Sequence, residues 1–88
     1  HYVKGDTEGI VNYGLSIKGV TFTAIFIEHA DENLIKISFR SKGDVDVNQF
    51  ARDYFEGGGH RNAAGGKSKL NLEQTVARFV EIINSTPI

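Results

Sequence analysis

The stretch that decides the fold is Val20 to Lys42, VTFTAIFIEHADENLIKISFRSK. Val20, Phe22, Ala24 and Phe26 alternate with Thr21, Thr23, Ile25 and Ile27, the period-2 signature of a strand rich in β-branched and aromatic residues. Ala30-Asp31-Glu32-Asn33 is a polar turn, after which Ile35, Ile37 and Phe39 alternate with Lys36, Ser38 and Arg40. Two such runs around a short polar turn predict an antiparallel hairpin. Ile25 and Ile27 make the first strand apolar on both sides, so both faces of its sheet are expected to be covered.

Downstream, Val47, Phe50, Ala51, Tyr54 and Phe55 fall at helical spacing, predicting an amphipathic helix over Val47 to Phe55. Asp46 is placed to cap it, with Gln49 in the capping-box position and Gly57 as the stop. Lys67 to Leu70 is expected to form a short strand. Asn71 then caps a last helix with apolar face Leu72, Val76, Phe79, Val80 and Ile83, closed by Pro87. Upstream, Thr7 is read as the cap of a short helix from Glu8 to Tyr13, with Gly14 as its stop. The expected fold is α+β: a small mixed sheet built on the antiparallel hairpin and flanked by helices. All six phenylalanines are expected in the core.

Composition narrows the function classes. Eighty-eight residues allow one small domain, and 40% hydrophobic with 24% charged residues describes a globular chain. The apolar runs are a few residues long, against the ~20 that cross a bilayer, and no signal-peptide pattern precedes them. A cytoplasmic chain with no membrane partner is the expectation. Without cysteine there is no disulfide, thiolate metal site or thiol nucleophile. A net charge of −1 argues against binding nucleic acid through bulk charge, so any anion site must be local. The chain contains no methionine, and we read it as residues 1–88 of something longer or as a processed product.

Several motifs fail on spacing. Gly66-Lys67-Ser68 ends like a phosphate-binding P-loop, but Arg61 stands where that loop needs glycine. Gly57, Gly58 and Gly59 do not complete a dinucleotide fingerprint, because Asn62 occupies its last glycine position. Asp31-Glu32-Asn33 lacks the glycine and distal glutamate of a calcium loop. His29 and His60 have no ligand partners at helical or C-x-x-C spacing, so this chain by itself is expected to hold no metal.

Five of the ten glycines lie in GGGHRNAAGG, Gly57 to Gly66. One glycine is explained by a helix stop. Three in succession are not, since each carries an entropic penalty of up to ~1 kcal/mol relative to alanine. Glycine lets backbone N–H groups approach a ligand closely, and His60 and Arg61 follow with donors suited to phosphate oxygens. Arg40-Ser41-Lys42 adds a guanidinium fork beside a hydroxyl, on the strand face opposite Ile37 and Phe39.

ISFRSK (Ile37 to Lys42) followed across an amphipathic helix by GGGHRNAAGG resembles the DHH-associated C-terminal domain of DHH-family phosphoesterases. The oligoribonuclease and phosphoadenosine-phosphate phosphatase branch is the most similar. The resemblance extends from Thr7-Glu8-Gly9-Ile10-Val11-Asn12-Tyr13 through the last helix, with Gly14 in place of an expected proline. It implies a substrate-binding domain in cis with a DHH catalytic domain whose aspartates and histidines bind Mn2+. Arg40 and Ser41 would contact phosphate, Gly58 and Gly59 would present backbone, and His60 would meet a substrate phosphate and assist catalysis, with Arg61 beside it. The implied substrates are short RNAs or small phosphorylated nucleotides, and a homodimer would form through the other domain. No Asp-His-His triplet occurs in these residues. The competing expectations are a non-hydrolytic nucleic-acid-binding module and a packing domain whose glycine loop is only a turn.

Overall fold

The computed structural model describes residues 9–17 and 20–85. Five strands form one sheet: β1 (Ile10–Ile17), β2 (Val20–His29), β3 (Leu34–Lys42), β4 (Gly58–His60) and β5 (Ala63–Ser68). Their spatial order is β1-β2-β3-β5-β4, and every pairing is antiparallel. Two helices, α1 (Val47–Tyr54) and α2 (Leu72–Ser85), complete the α+β fold. The expected mixed sheet is thus larger than its hairpin and antiparallel throughout.

The hairpin stands where the alternation puts it. Phe26 pairs with Ile37 and Ala24 with Phe39, so the apolar set of both strands shares one face. That face carries Phe22, Ala24, Phe26, Ile35, Ile37 and Phe39, all at most 3% exposed. Val47, Phe50 and Ala51 of α1, Phe55 after it and Phe79 of α2 close the core. Phe79 is the hub, with ring centroids 5.1 Å from Tyr13, 5.2 Å from Phe26 and 5.7 Å from Phe22. Edge-to-face pairs of this kind add about 0.5–1.5 kcal/mol each beyond their buried area. All six phenylalanines are core.

Both helices therefore lie on one face of the sheet, and the expectation of cover on both sides fails among the described residues. Ile25 and Ile27 are half-buried by their neighbours, while Lys36, Ser38 and Arg40 on the same face are exposed. The two isoleucines pair with Ser38 and Lys36, and those long or polar neighbours shield their edges without a second layer.

The helix ends follow their caps. Asp46 accepts from the Gln49 N–H at 3.0 Å, but the Gln49 side chain donates forward to Asp53 at 2.8 Å instead of closing the box. Asn71 and Gln74 do close theirs, the Gln74 N–H donating to Asn71 Oδ1 at 2.7 Å. α1 ends one residue short of Phe55, and it is Glu56, with φ 51°, that turns left-handed, not Gly57. Pro87 lies outside the described residues.

Two local expectations fall to tertiary pairing. Of the helix expected from Thr7 and Glu8 to Tyr13, the first two residues lie outside the described set, and from Ile10 onward the chain is strand, with Gly14 inside it. Val11 and Tyr13 face the core opposite Phe26 and Ala24, a burial that outweighs local propensity. The glycine loop is also strand. β4 and β5 pair Gly58 with Gly65, Gly59 with Ala64 and His60 with Ala63 around a turn at Arg61-Asn62. The short strand expected at Lys67 to Leu70 instead starts at Ala63 and stops at Ser68.

Candidate functional site

The open face of the sheet is built by the same register that fills the core. Directly opposite residues in an antiparallel pair present side chains to the same side. Arg40 pairs with Ala63, and Ala63 pairs with His60. Arg40 and His60 therefore flank Ala63 in one rung across β3, β5 and β4, away from both helices. With strands ~4.8 Å apart, their α-carbons stand about 10 Å from one another. Ala63 contributes only a methyl group between two long side chains, which leaves a small shelf between them.

The donors of this rung are available. Arg40 is exposed, and its only hydrogen bond among the described residues is a long one, 3.3 Å, to its neighbour's carbonyl, Phe39. No described carboxylate lies within ion-pair distance of it. Lys42 lies two residues further along the same face of β3 and is exposed. His60 is exposed at the sheet edge. Arg61, at the turn, is partly engaged: it donates to the Asp44 carbonyl at 3.2 Å and sits 3.8 Å from the Asp44 carboxylate. Arg40, Lys42 and His60 thus gather at one end of the open face with Arg61 at the turn beside them, and among the described residues only Arg61 of these is within ion-pair distance of a carboxylate, that of Asp44.

Ser41 is placed differently. Its side chain is on the helix side and 8% exposed. The hydroxyl donates to the Val45 carbonyl at 2.8 Å and accepts from Asn62 Nδ2 at 2.8 Å. The structure does not bring it to the Arg40–His60 rung. Its work is to fasten the β4–β5 turn, helped by the Ser41 N–H bonding to the Asn62 carbonyl and the Val47 N–H to the Arg61 carbonyl. Such anchoring matters because Arg61 and Asn62 lack the positive φ values of the favoured two-residue hairpin turns.

The three glycines do not form an open nest of N–H groups. The Gly57 N–H is taken by the Ala51 carbonyl at 3.1 Å. The Gly59 N–H donates to Asn48 Oδ1 at 2.8 Å, so the α1 side chain holds the outer edge of β4. Close packing explains Gly57 better than ligand approach does: a Cβ there would stand 1.8 Å from the Gly65 carbonyl oxygen. Gly58 and Gly65, with Ser38, form a bare rung beside the Arg40–His60 one. A groove of about 460 Å3 runs along these glycines toward Lys36 and Lys67. Arg40 and His60 do not line it.

Sequence reasoning missed Asn48, Asn62 and Ala63. The first two hold the glycine strand and its turn, and the third sets the gap between the cations. Only Ala63, next to His60 in a two-residue hairpin, had a readable signal. Asn12 is exposed on the open face, opposite Ile25, while Glu28 pairs with Ile35 on the other side.

The donor chemistry of this rung does not fit a metal pair. Of its three residues only His60 has a metal-ligating side chain, and the Asp44 carboxylate is engaged with Arg61. Among the described residues, the His, Asp and Glu side chains whose ligand atoms come within 4.8 Å of one another are His29, Asp31 and Glu32. They sit at the β2–β3 turn, six residues along β3 from Arg40, or ~20 Å. No described helix is long and apolar enough to cross a membrane.

Comparison with known proteins places the chain in a family. The family described as the DHHA1 domain matches residues 2–86. A 3′,5′-cyclic-nucleotide phosphodiesterase of Helicobacter pylori is 30% identical over 92 aligned residues, covering 91% of this chain and 26% of that relative. The chain thus spans about a quarter of the length of the curated relative it matches. No solved structure matches it.

Proposed function

The chain belongs to the DHHA1 domain family, and from that premise we propose that it is the phosphate-gripping part of a phosphoesterase whose hydrolytic centre lies in another part of the protein. The observation that carries this reading is the rung Arg40–Ala63–His60: two exposed donors on one face of the sheet, on either side of the small Ala63 side chain.

Arg40 offers the planar fork that matches two phosphate oxygens at once. His60 presents at least one ring N–H whether neutral or protonated, and from the far side of the gap it meets a third oxygen. Lys42 and Arg61 add field without direct contact. Gly58 and Gly59 serve by bareness: the rung beside the phosphate has no side chain from β4 or the neighbouring Gly65, so a sugar or base can lie against the backbone. Ser41 acts indirectly, by fixing the turn that carries His60. Because both donors stand on a hydrogen-bonded sheet, the ligand has only their side chains to order and not the backbone that carries them.

The reaction we propose is phosphoester hydrolysis of short oligoribonucleotides or small nucleotides, in line with the similar phosphodiesterase. Manganese, where the protein uses it, is held by the accompanying DHH domain, since the residues here do not suit it. The role of this chain is to hold the phosphorus centre in place for attack.

The test is hydrolysis by the protein that carries this chain. A lost charge-assisted contact is worth about 1.5–3 kcal/mol, so Arg40→Ala and His60→Ala should each lower kcat/KM by roughly 10- to 150-fold. Arg40→Lys should recover only part, because an ammonium cannot make the bidentate contact. Wild-type rates in both alanine variants would remove the proposal.

A further inference from the structure

Away from the Arg40–His60 rung the chain makes a second concave surface. The last turn of α1, the end of β5 and the first half of α2 enclose a groove of about 450 Å3. Its walls carry Arg52, Lys67, Lys69 and Arg78 against two carboxylates, Asp53 and Glu56. Asp53 already accepts from Gln49 Nε2 at 2.8 Å. Among the described residues, no carboxylate lies within ion-pair distance of any of the four cations.

Arg78 is fixed in advance. It donates to the Tyr54 carbonyl at the end of α1, and its guanidinium carbon lies 5.1 Å from the Phe55 ring centroid. That hydrogen bond and the cation–π contact hold the planar fork in the wall of the groove. Arg52, Lys67 and Lys69 surround it on exposed side chains. Like charges gathered around a concavity concentrate the potential there, and an anion relieves their mutual repulsion.

We propose that this groove is a second anion site that takes a phosphate group, separate from the Arg40–His60 rung. Lys67 is four residues from Ala63 along β5, about 13 Å at ~3.3 Å per residue. One phosphate cannot reach both places. Two sources share the required chemistry: a free phosphate compound, or the distal phosphate of an extended ligand held at its other end by Arg40. A path for the second exists, because Lys67 and Glu56 also line the glycine-floored groove that leads back along β4 and β5.

The chain closes its own core, so it can be titrated as it stands. Amide spectra are followed as inorganic phosphate, and separately a 5′-phosphorylated tetranucleotide, is added at constant ionic strength. Saturable shifts are expected over residues 52–56 and 67–70, and a Lys67→Ala/Lys69→Ala double variant should weaken them roughly tenfold. Saturation by inorganic phosphate points to a free phosphate compound. Groove shifts seen only with the tetranucleotide, and lost in Arg40→Ala, point to a distal phosphate. Groove residues that stay still with both probes, shifts that chloride reproduces, or shifts unchanged in the double variant overturn the proposal. The rung reports through its own amides, so loss of its shifts with groove shifts retained removes the earlier reading and leaves this one standing.

Discussion

Replacing Gly57 by alanine tests the claim that the glycine run is a packing device first. The added Cβ would meet the Gly65 carbonyl oxygen at 1.8 Å and Gly66 Cα at 2.7 Å, whereas ordinary contact starts at 3.4 Å. The chain entering β4 and the edge of β5 must separate by about 1.6 Å, the difference between the first distance and ordinary contact. One backbone bond spans that seam, Lys67 N–H to Phe55, while the Gly57 N–H to Ala51 bond ties the chain back to α1. Overpacking costs about 1–3 kcal/mol and one lost hydrogen bond about 1 kcal/mol, giving roughly 2–4 kcal/mol. A domain of this length holds about 4–13 kcal/mol in all. At ~4–8 °C per kcal/mol, thermal unfolding followed by circular dichroism should drop by at least ~8 °C. Gly14→Ala is the control: its Cβ would meet only Thr23 Cγ2 at 3.9 Å, and the midpoint should stay level or rise slightly. A Gly57→Ala midpoint within a few degrees of wild type would refute the packing account and return Gly57 to the ligand.

Ser41→Ala should lower stability by about 1–2 kcal/mol, because the Asn62 amide and Val45 carbonyl lose their shared partner. At temperatures where the variant is folded, phosphate titration should give unchanged shifts at Arg40, and a tenfold loss of affinity there would show that the hydroxyl reaches ligand. Thr75 is fully buried, its hydroxyl donating to Ser68 Oγ at 2.8 Å. Thr75→Val preserves shape but removes that donor, leaving Ser68 Oγ to the Leu70 N–H at 3.1 Å, so urea unfolding should show a loss of about 0.5–1.5 kcal/mol with no change in m.

The hairpin was legible because alternation in Val20 to Lys42 coincides with burial on one face. The helix starts were legible because Asp46 and Asn71 cap by local chemistry. Arg40 was readable as an outward-facing cation from that same alternation. Other parts were not, for identifiable reasons. Ile10 to Ile17 becomes strand through pairing with Val20 to Ile27, a relation that a local scan of Gly9, Val11 and Asn12 does not contain. GGGH has almost no side chains to alternate, so nothing in it announces a strand. Ser41 beside Arg40 reads as a clamp until the pleat sends the two to opposite faces. Asn48 and Asn62 hold the glycine strand and its turn through amide groups whose partners are set only by the tertiary fold.

The fastening of the Arg61-Asn62 turn has a kinetic consequence. The amides of Ser41, Val47 and Gly59 each bond across an element boundary, to Asn62, Arg61 and Asn48. To lift His60 off the sheet, the start of α1 and the end of β3 must let go together. Thermal opening of that corner is therefore a single concerted escape and not a fraying of one strand end. On the proposed reading, a ligand seated between Arg40 and His60 would dissociate by its own bonds breaking, since the corner beneath it opens only as a unit.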